Sequence, residues 1–267
     1  WSEAYLFTAE VTEDVNGLIG VVLASVNAVS ELPPSYTDDE TTAMWGPWDG
    51  GPLVPTEMMM QVHHDGSTDM VTWAVSMRPK GATDDDWQDV IAGQVEEGAT
   101  EETSEGWFTI DFTLLNELDP TEGSTGTFIT TYTVDGDDVV ATAAFEDFIP
   151  EGQSDVINAN YHYEQTVGLE GSMDLAFEAD VTGNGDLETA LVRSRWAADG
   201  SGRSDNLIAG GELEDLGIDG QSSECWSTAF EVSYYTDNWG SAEEGDATLC
   251  AYDAASFNET HAEELVF

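Results

Sequence analysis

Downstream of Pro55, apolar and polar residues alternate in short runs, each bounded by turn residues. Alternation with a period of two marks a strand that turns one face to a core. Met58 to His64 meets Asp65-Gly66 and resumes as Met70 to Met77; Asp89 to Val95 and Trp107 to Phe112 follow. Thr127 to Val134 meets Asp135-Gly136 and resumes as Val139 to Phe145. Ile157 to Thr166, Met173 to Ala179 and Leu187 to Trp196 come next, then shorter runs at Asn206 to Ala209 and Phe230 to Tyr235. Asp-Gly between two alternating runs is a hairpin signal, so the order predicts an antiparallel meander over about residues 55–235. Leu114 to Leu118 predicts a short helical turn ended by Pro120, and Ala99 to Gly106 reads as a long acidic loop.

One segment has a different period. Val15, Leu18, Ile19, Val22, Leu23, Val26 and Val29 recur every three or four residues, which predicts a helix over 15–32. Asp14 is placed to cap its start, and Pro33-Pro34 stop it. It is apolar around most of its circumference, with Gly17, Gly20, Ala24 and Ser25 offering close approach, so it reads as buried on several sides. It is too short and too interrupted to span a membrane. The expected fold is therefore mainly β. A large curled antiparallel meander sheet, an incomplete barrel, packs around one N-terminal apolar α-helix in a single domain, 1–267. Phe128, Tyr132, Tyr161, Tyr163, Leu175 and Phe177 are its expected buried face.

Composition changes the picture of the surface. The chain has 55 acidic residues against five basic ones, a formal net charge of −50, yet it is 40% hydrophobic and carries nine Trp. A disordered acidic tail lacks such residues; this is a folded core under a carboxylate shell. The shell repels itself unless salt or divalent cations screen it. Five bases cannot build a phosphate-binding patch, which excludes nucleic acid and anionic membranes as partners.

Candidate chemistry is sparse. Cys225 and Cys250 are read as one disulfide closing the 225–250 segment, against two free thiols. The chain opens at Trp1 without an initiator Met, which reads as a mature form after signal removal, and Asn258-Glu259-Thr260 matches a glycosylation sequon. In MMMQVHHDG, Met58, Met60, Val62 and His64 share one strand face and Met59, Gln61 and His63 the other, so the histidines diverge and a gap-filling strand outweighs a metal site. Asp180, Thr182, Asn184 and Asp186 are spaced like the first ligands of a calcium loop, but Leu191 stands where the bidentate glutamate belongs, and a hairpin tip rich in Asn and Gly explains the segment without metal. Calcium is the one cofactor offered. Arg193, Arg195 and Arg203 are read as structural ion-pair formers. No nucleophile, zinc-helix, phosphate-loop or dinucleotide motif appears, and the chain is read as non-enzymatic.

Four stretches carry a resemblance: TTAMWGPW (41–48), GWFTIDFTLLNELDP (106–120), LVRSRWAADGSGRSD (191–205) and SECWSTAFEVSYYTDNWG with the following LC (223–250). They resemble a family of uncharacterised, lipid-anchored envelope proteins of myxobacteria and related delta-proteobacteria. The resemblance implies a cell-envelope or extracellular location, agrees with the disulfide, and implies a lipid anchor upstream of this chain or a released form. It transfers no activity. Two functions are expected. One is a structural surface protein that self-assembles, or joins other envelope components, with salt or divalent cations. The alternative is a carrier of a lipid or other apolar ligand in a groove between sheet and helix, lined by Leu18, Val22, Val26, Met58 and Met60. The first packs its helix solidly; the second leaves a cavity beside it.

Overall fold

A computed structural model describes residues 1–38, 41–68, 70–100, 102–240, 243–255 and 257. The sequon at 258–260 and His261 lie outside them. Among the described residues one helix, α1 (Glu3–Ser30), precedes fifteen strands. These are β1 (Tyr36–Thr37), β2 (Thr42–Asp49), β3 (Thr56–Asp65), β4 (Met70–Pro79), β5 (Gln88–Glu96), β6 (Thr103–Asp111), β7 (Thr125–Asp135) and β8 (Asp138–Ile149). They continue as β9 (Ile157–Gln165), β10 (Gly171–Ala179), β11 (Glu188–Trp196), β12 (Gly202–Gly210), β13 (Gly220–Trp226), β14 (Val232–Asp237) and β15 (Glu244–Gly245). Two short helices, α2 (Phe112–Leu118) and α3 (Gly211–Leu216), bridge β6 to β7 and β12 to β13. Each strand neighbours the next in sequence, giving one antiparallel meander that does not close. The mainly-β fold with its N-terminal helix is as the alternation predicts.

Several boundaries differ from expectation. The helix begins at Glu3, not Val15, and ends at Ser30, not Leu32. Ser2 caps it, its hydroxyl accepting the Tyr5 N–H at 3.0 Å. Asp14 lies in mid-helix on the exposed face, beside Glu10 and Glu13. The buried positions Thr8, Val15, Ile19 and Val22 keep the three- and four-residue spacing from the first turns onward, because Thr8 and Thr12 return their hydroxyls to the carbonyls of Ala4 and Thr8. One face is buried, not several: Gly17, Gly20, Ala24 and Ser25 are exposed, and a Cβ at either glycine meets nothing within 4 Å. No helix among the described residues is long and apolar enough to cross a membrane.

Strands extend beyond 55–235 at both ends. β2 is unexpected, because Gly46-Pro47 breaks its alternation; its ladder with β3 shifts register between Trp45 and Trp48. β13 is likewise unexpected. Thr103 to Gly106, read as loop, begins β6. Phe112, read as strand, opens α2, where Asp111 accepts the Leu114 N–H at 2.8 Å. Phe230 sits at a positive φ of 60° before β14 begins.

The chain divides into two compact units. The first holds Trp1–Gly17, Gly136–Ala143 and Ile157–Phe267. Its core is Tyr161, Tyr163, Met173, Leu175, Val192 and Trp226 beneath the first half of α1. Thr8 Oγ1 meets Ser194 Oγ at 2.7 Å, and Tyr161 donates to Asn16 Oδ1 at 3.1 Å. Buried Glu224 receives the Ser2 hydroxyl and, at 3.3 Å, the Ala4 N–H, placing a carboxylate at the positive end of the helix. Cys225 and Cys250 are bonded, with Cα atoms 5.4 Å apart.

The second unit holds Leu18–Asp135 and Ala144–Val156. Trp73, Phe108 and Phe128 form a chain of tilted rings at 6.0 Å spacings, continued by Phe145 and Phe148. The segment just past α1 is tied down by Trp45 Nε1, which donates to Leu32 O at 2.8 Å. Of the six residues expected in the core, five are buried across the two units and Phe177 is half-buried.

Both units repeat one packing device. Trp73 pairs across the ladder with Gly93, Tyr132 with Gly106, Trp196 with Gly171 and Trp226 with Gly202. In each pair the ring lies over the glycine: a Cβ on Gly93 would stand 2.5 Å from Trp73 Cζ2, and one on Gly106 2.7 Å from the Tyr132 oxygen. On Gly171 and Gly202 it would overlap the indoles of Trp196 and Trp226. The glycines let large rings lie flat on the sheet instead of standing up against the helix.

Candidate functional site

Each unit holds a cavity between its part of α1 and the helix-facing side of its strands. In the second unit, Leu23, Val26, Asn27 and Ser30 of α1 cover Val62, Val71, Trp73, Val95, Tyr132 and Val134. The strand residues come together by register: Val62 pairs with Trp73, Val71 with Val95, and Gly106 seats Tyr132. The cavity is about 540 Å³, within the range of roughly 300–1,000 Å³ typical of small-molecule sites. Its lining contains no charged side chain; the polar groups are the hydroxyls and amide of Asn27, Ser30, Thr100, Ser104 and Tyr132. Burial pushes the Tyr132 phenol up from its usual pKa, so it stays a neutral donor.

In the first unit, Tyr5, Thr8, Ala9 and Thr12 cover a cavity of about 360 Å³ floored by Trp196 and Trp226 and flanked by Tyr163, Gln165 and Phe230. Tyr163 donates to Gln165 Oε1 at 2.8 Å, and Tyr5 stacks on Phe230 at 4.2 Å. Burial also raises the Tyr163 pKa.

The residues expected to line an apolar groove separate. Val26 lines the aliphatic cavity; Val22 and Met60 are buried in the packed core, Leu18 is half-buried, and Met58 is 41% exposed. The strand valines of the lining are not among the residues expected from sequence, although Val62, Val71, Val95 and Val134 each sit on the apolar phase of an alternating run. Which phases meet depends on register, which the sequence leaves open.

The expected calcium loop closes on its own backbone. Asp180 Oδ1 accepts from Gly183 N and Asn184 N at 2.6 and 3.0 Å, and Oδ2 from Gly185 N at 2.9 Å. Asn184 Oδ1 accepts from Asp186 N at 2.7 Å, while buried Glu188 accepts from Val181 N at 2.8 Å and, more weakly, from the Thr182 hydroxyl at 3.4 Å. No group of three or more metal-ligating His, Cys, Asp or Glu occurs among the described residues. His63 and His64 diverge, toward Thr42 at 3.1 Å and Glu97 at 3.2 Å.

The three late arginines face away from the helix. Arg193 pairs with Asp174 at 3.3 Å, and Arg195 and Arg203 share Asp205 at 3.5 and 2.7 Å. Desolvation, then the neighbouring Arg193 charge, lowers the Arg195 pKa. Arg203 donates to Tyr252 O, Arg195 to Asp253 O, and Ala255 N donates to Asp205. Together with the disulfide these bonds strap residues 250–255 onto the sheet.

No family model matches the chain, and neither a curated protein nor a solved structure matches it.

Proposed function

We propose that the protein binds a neutral, mainly aliphatic molecule in the cavity between the second half of α1 and β3–β7, and so acts as a carrier in a cell-envelope or extracellular setting. The supporting observation is the half-open, apolar-lined groove of about 540 Å³ beside the helix. Its lining of valine, leucine and tryptophan favours hydrocarbon at about 25 cal/mol per Å² of apolar surface removed from water. The surface charge of −50, with no base in the lining, disfavours a carboxylate head group and selects an alcohol, ester or bare chain. The edges give less support to assembly by strand addition: β1 and β15 are two residues each, and short edge strands are a common way to block pairing.

The test uses purified protein, native mass spectrometry and displacement of the neutral probe N-phenyl-1-naphthylamine. Dodecanol is expected to displace the probe at least about tenfold better than dodecanoate, a difference of about 1.4 kcal/mol. Leu23→Trp, which fills the cavity from the helix side, is expected to abolish probe binding without lowering the melting temperature. An absence of probe binding, or binding that survives Leu23→Trp, refutes the proposal.

A further inference from the structure

The cavity of the first unit differs in chemistry from the aliphatic one. A single cross-strand row runs Gln165, Gly171, Trp196, Gly202, Trp226 over β9 to β13. Large and absent side chains alternate along it, so the Trp196 indole lies across Gly171 and the Trp226 indole across Gly202, side by side as tiles. Tyr163 stands 5.9 Å from Trp196, and Tyr5 stands 6.0 Å from Trp226 and stacks on Phe230. Five aromatic rings therefore border about 360 Å³. No lysine or arginine lines the space, and the arginines of this unit lie on the other face of the strands, in ion pairs.

We infer that this aromatic cavity is a binding site for a small quaternary or trimethylated ammonium cation. The negative faces of aromatic rings attract a cation, and a methylated ammonium sheds its water readily enough to lie against several rings at once. The surroundings add to this. Asp199 lies between the lining residues Ala198 and Gly200, Glu170 follows Leu169, and Glu10 and Glu13 follow Ala9 and Thr12 on the helix. Hydrogen bonds from the Ser201 hydroxyl and N–H lower the Asp199 pKa and keep it charged. A saccharide fits less well. Its hydroxyls need many free polar partners, whereas the Thr8, Thr12 and Tyr163 hydroxyls already bond within the protein.

The inference concerns a different cavity from the proposed function and stands or falls separately. The experiment titrates choline, and its neutral isostere 3,3-dimethylbutan-1-ol, into the whole chain, read by tryptophan fluorescence and calorimetry. Saturable choline binding is expected, with the isostere at least about tenfold weaker. Trp196→Leu is expected to abolish binding and Trp196→Phe to weaken it, each with its thermal unfolding recorded to show that the fold is kept. Leu23→Trp is expected to leave choline binding unchanged. No choline binding, equal binding of the two ligands, or unchanged affinity in Trp196→Phe and Trp196→Leu overturns the site.

Discussion

Replacing Gly202 by alanine adds one methyl group where Trp226 already lies. The new Cβ would overlap the indole and stand 2.5 Å from the Arg195 carbonyl oxygen. Neither obstacle moves freely. Trp226 is 2% exposed and donates its Nε1–H to Gly200 O at 2.9 Å, while Arg195 O belongs to the β11–β12 ladder. Overpacking a tight core costs about 1–3 kcal/mol, and a displaced indole forfeits a hydrogen bond of about 1 kcal/mol. Against this, alanine lowers the entropy of the unfolded chain, a gain of about 0.4–1 kcal/mol. The net expectation is a loss of about 2 kcal/mol, measured by urea unfolding with tryptophan fluorescence at fixed salt. In a Trp226→Leu background the loss should fall by more than about half, because the clash and the glycine are one coupled feature. Gly20→Ala is the control: its Cβ meets nothing within 4 Å in an exposed helix interior, and it should stabilise by about 1 kcal/mol. A Gly202→Ala variant within about 0.5 kcal/mol of wild type, or an equal loss in both backgrounds, refutes the account of these four pairs.

Replacing Cys225 and Cys250 together by serine opens a loop spanning a sequence separation of 25 and should cost about 3.5 kcal/mol by the chain-entropy relation, seen as a lower urea midpoint; an unchanged midpoint would show that the arginine strap alone holds the segment. Asp38, Asp65, Asp199 and Asp246 accept hydrogen bonds from nearby turn residues that lower their pKa values. A carboxylate whose folded pKa lies below its unfolded value, near 3.9, contributes stability that is present above that value and lost as pH falls through the folded pKa. The melting-temperature difference between wild type and Asp199→Asn should therefore shrink as pH falls through the folded Asp199 pKa; a difference that does not change with pH refutes its share.

The strands were legible because a face on a core forces alternation, and Asp65-Gly66 and Asp135-Gly136 mark their hairpins. What stayed hidden has identifiable physical causes. The first half of α1 was missed because Glu10, Glu13 and Asp14 resemble a boundary while Thr8 and Thr12 look too polar for a buried stripe. In the fold the acids sit on the exposed side and the threonines satisfy themselves on the preceding turn. β2 was missed because Gly46-Pro47 interrupts it. A groove between helix and sheet was legible only through Val26, and the aromatic cavity was not, since neither Gly171 nor Gly202 announces the indole it seats. That pairing is a property of register between strands, and register is set by every ladder before it.

The placement of charge links the fold to the proposed ligands. Each of the five bases, all described, has an acid within ion-pair distance. Arg78 meets Glu57 and Asp84, Lys80 meets Asp49, and the late arginines meet Asp174 and Asp205. No lysine or arginine is left to soften the field of the other carboxylates, so the protein's exterior attracts cations and repels anions over roughly a Debye length, about 8 Å at physiological salt. Solutes approaching either cavity pass through that field. Neutral chains cross it without cost and organic cations are concentrated by it, while fatty-acid carboxylates are turned away. Raising the salt should therefore weaken choline binding steeply and leave dodecanol binding unchanged or slightly stronger. Equal salt dependence for both ligands would mean that the field plays no part in selecting them.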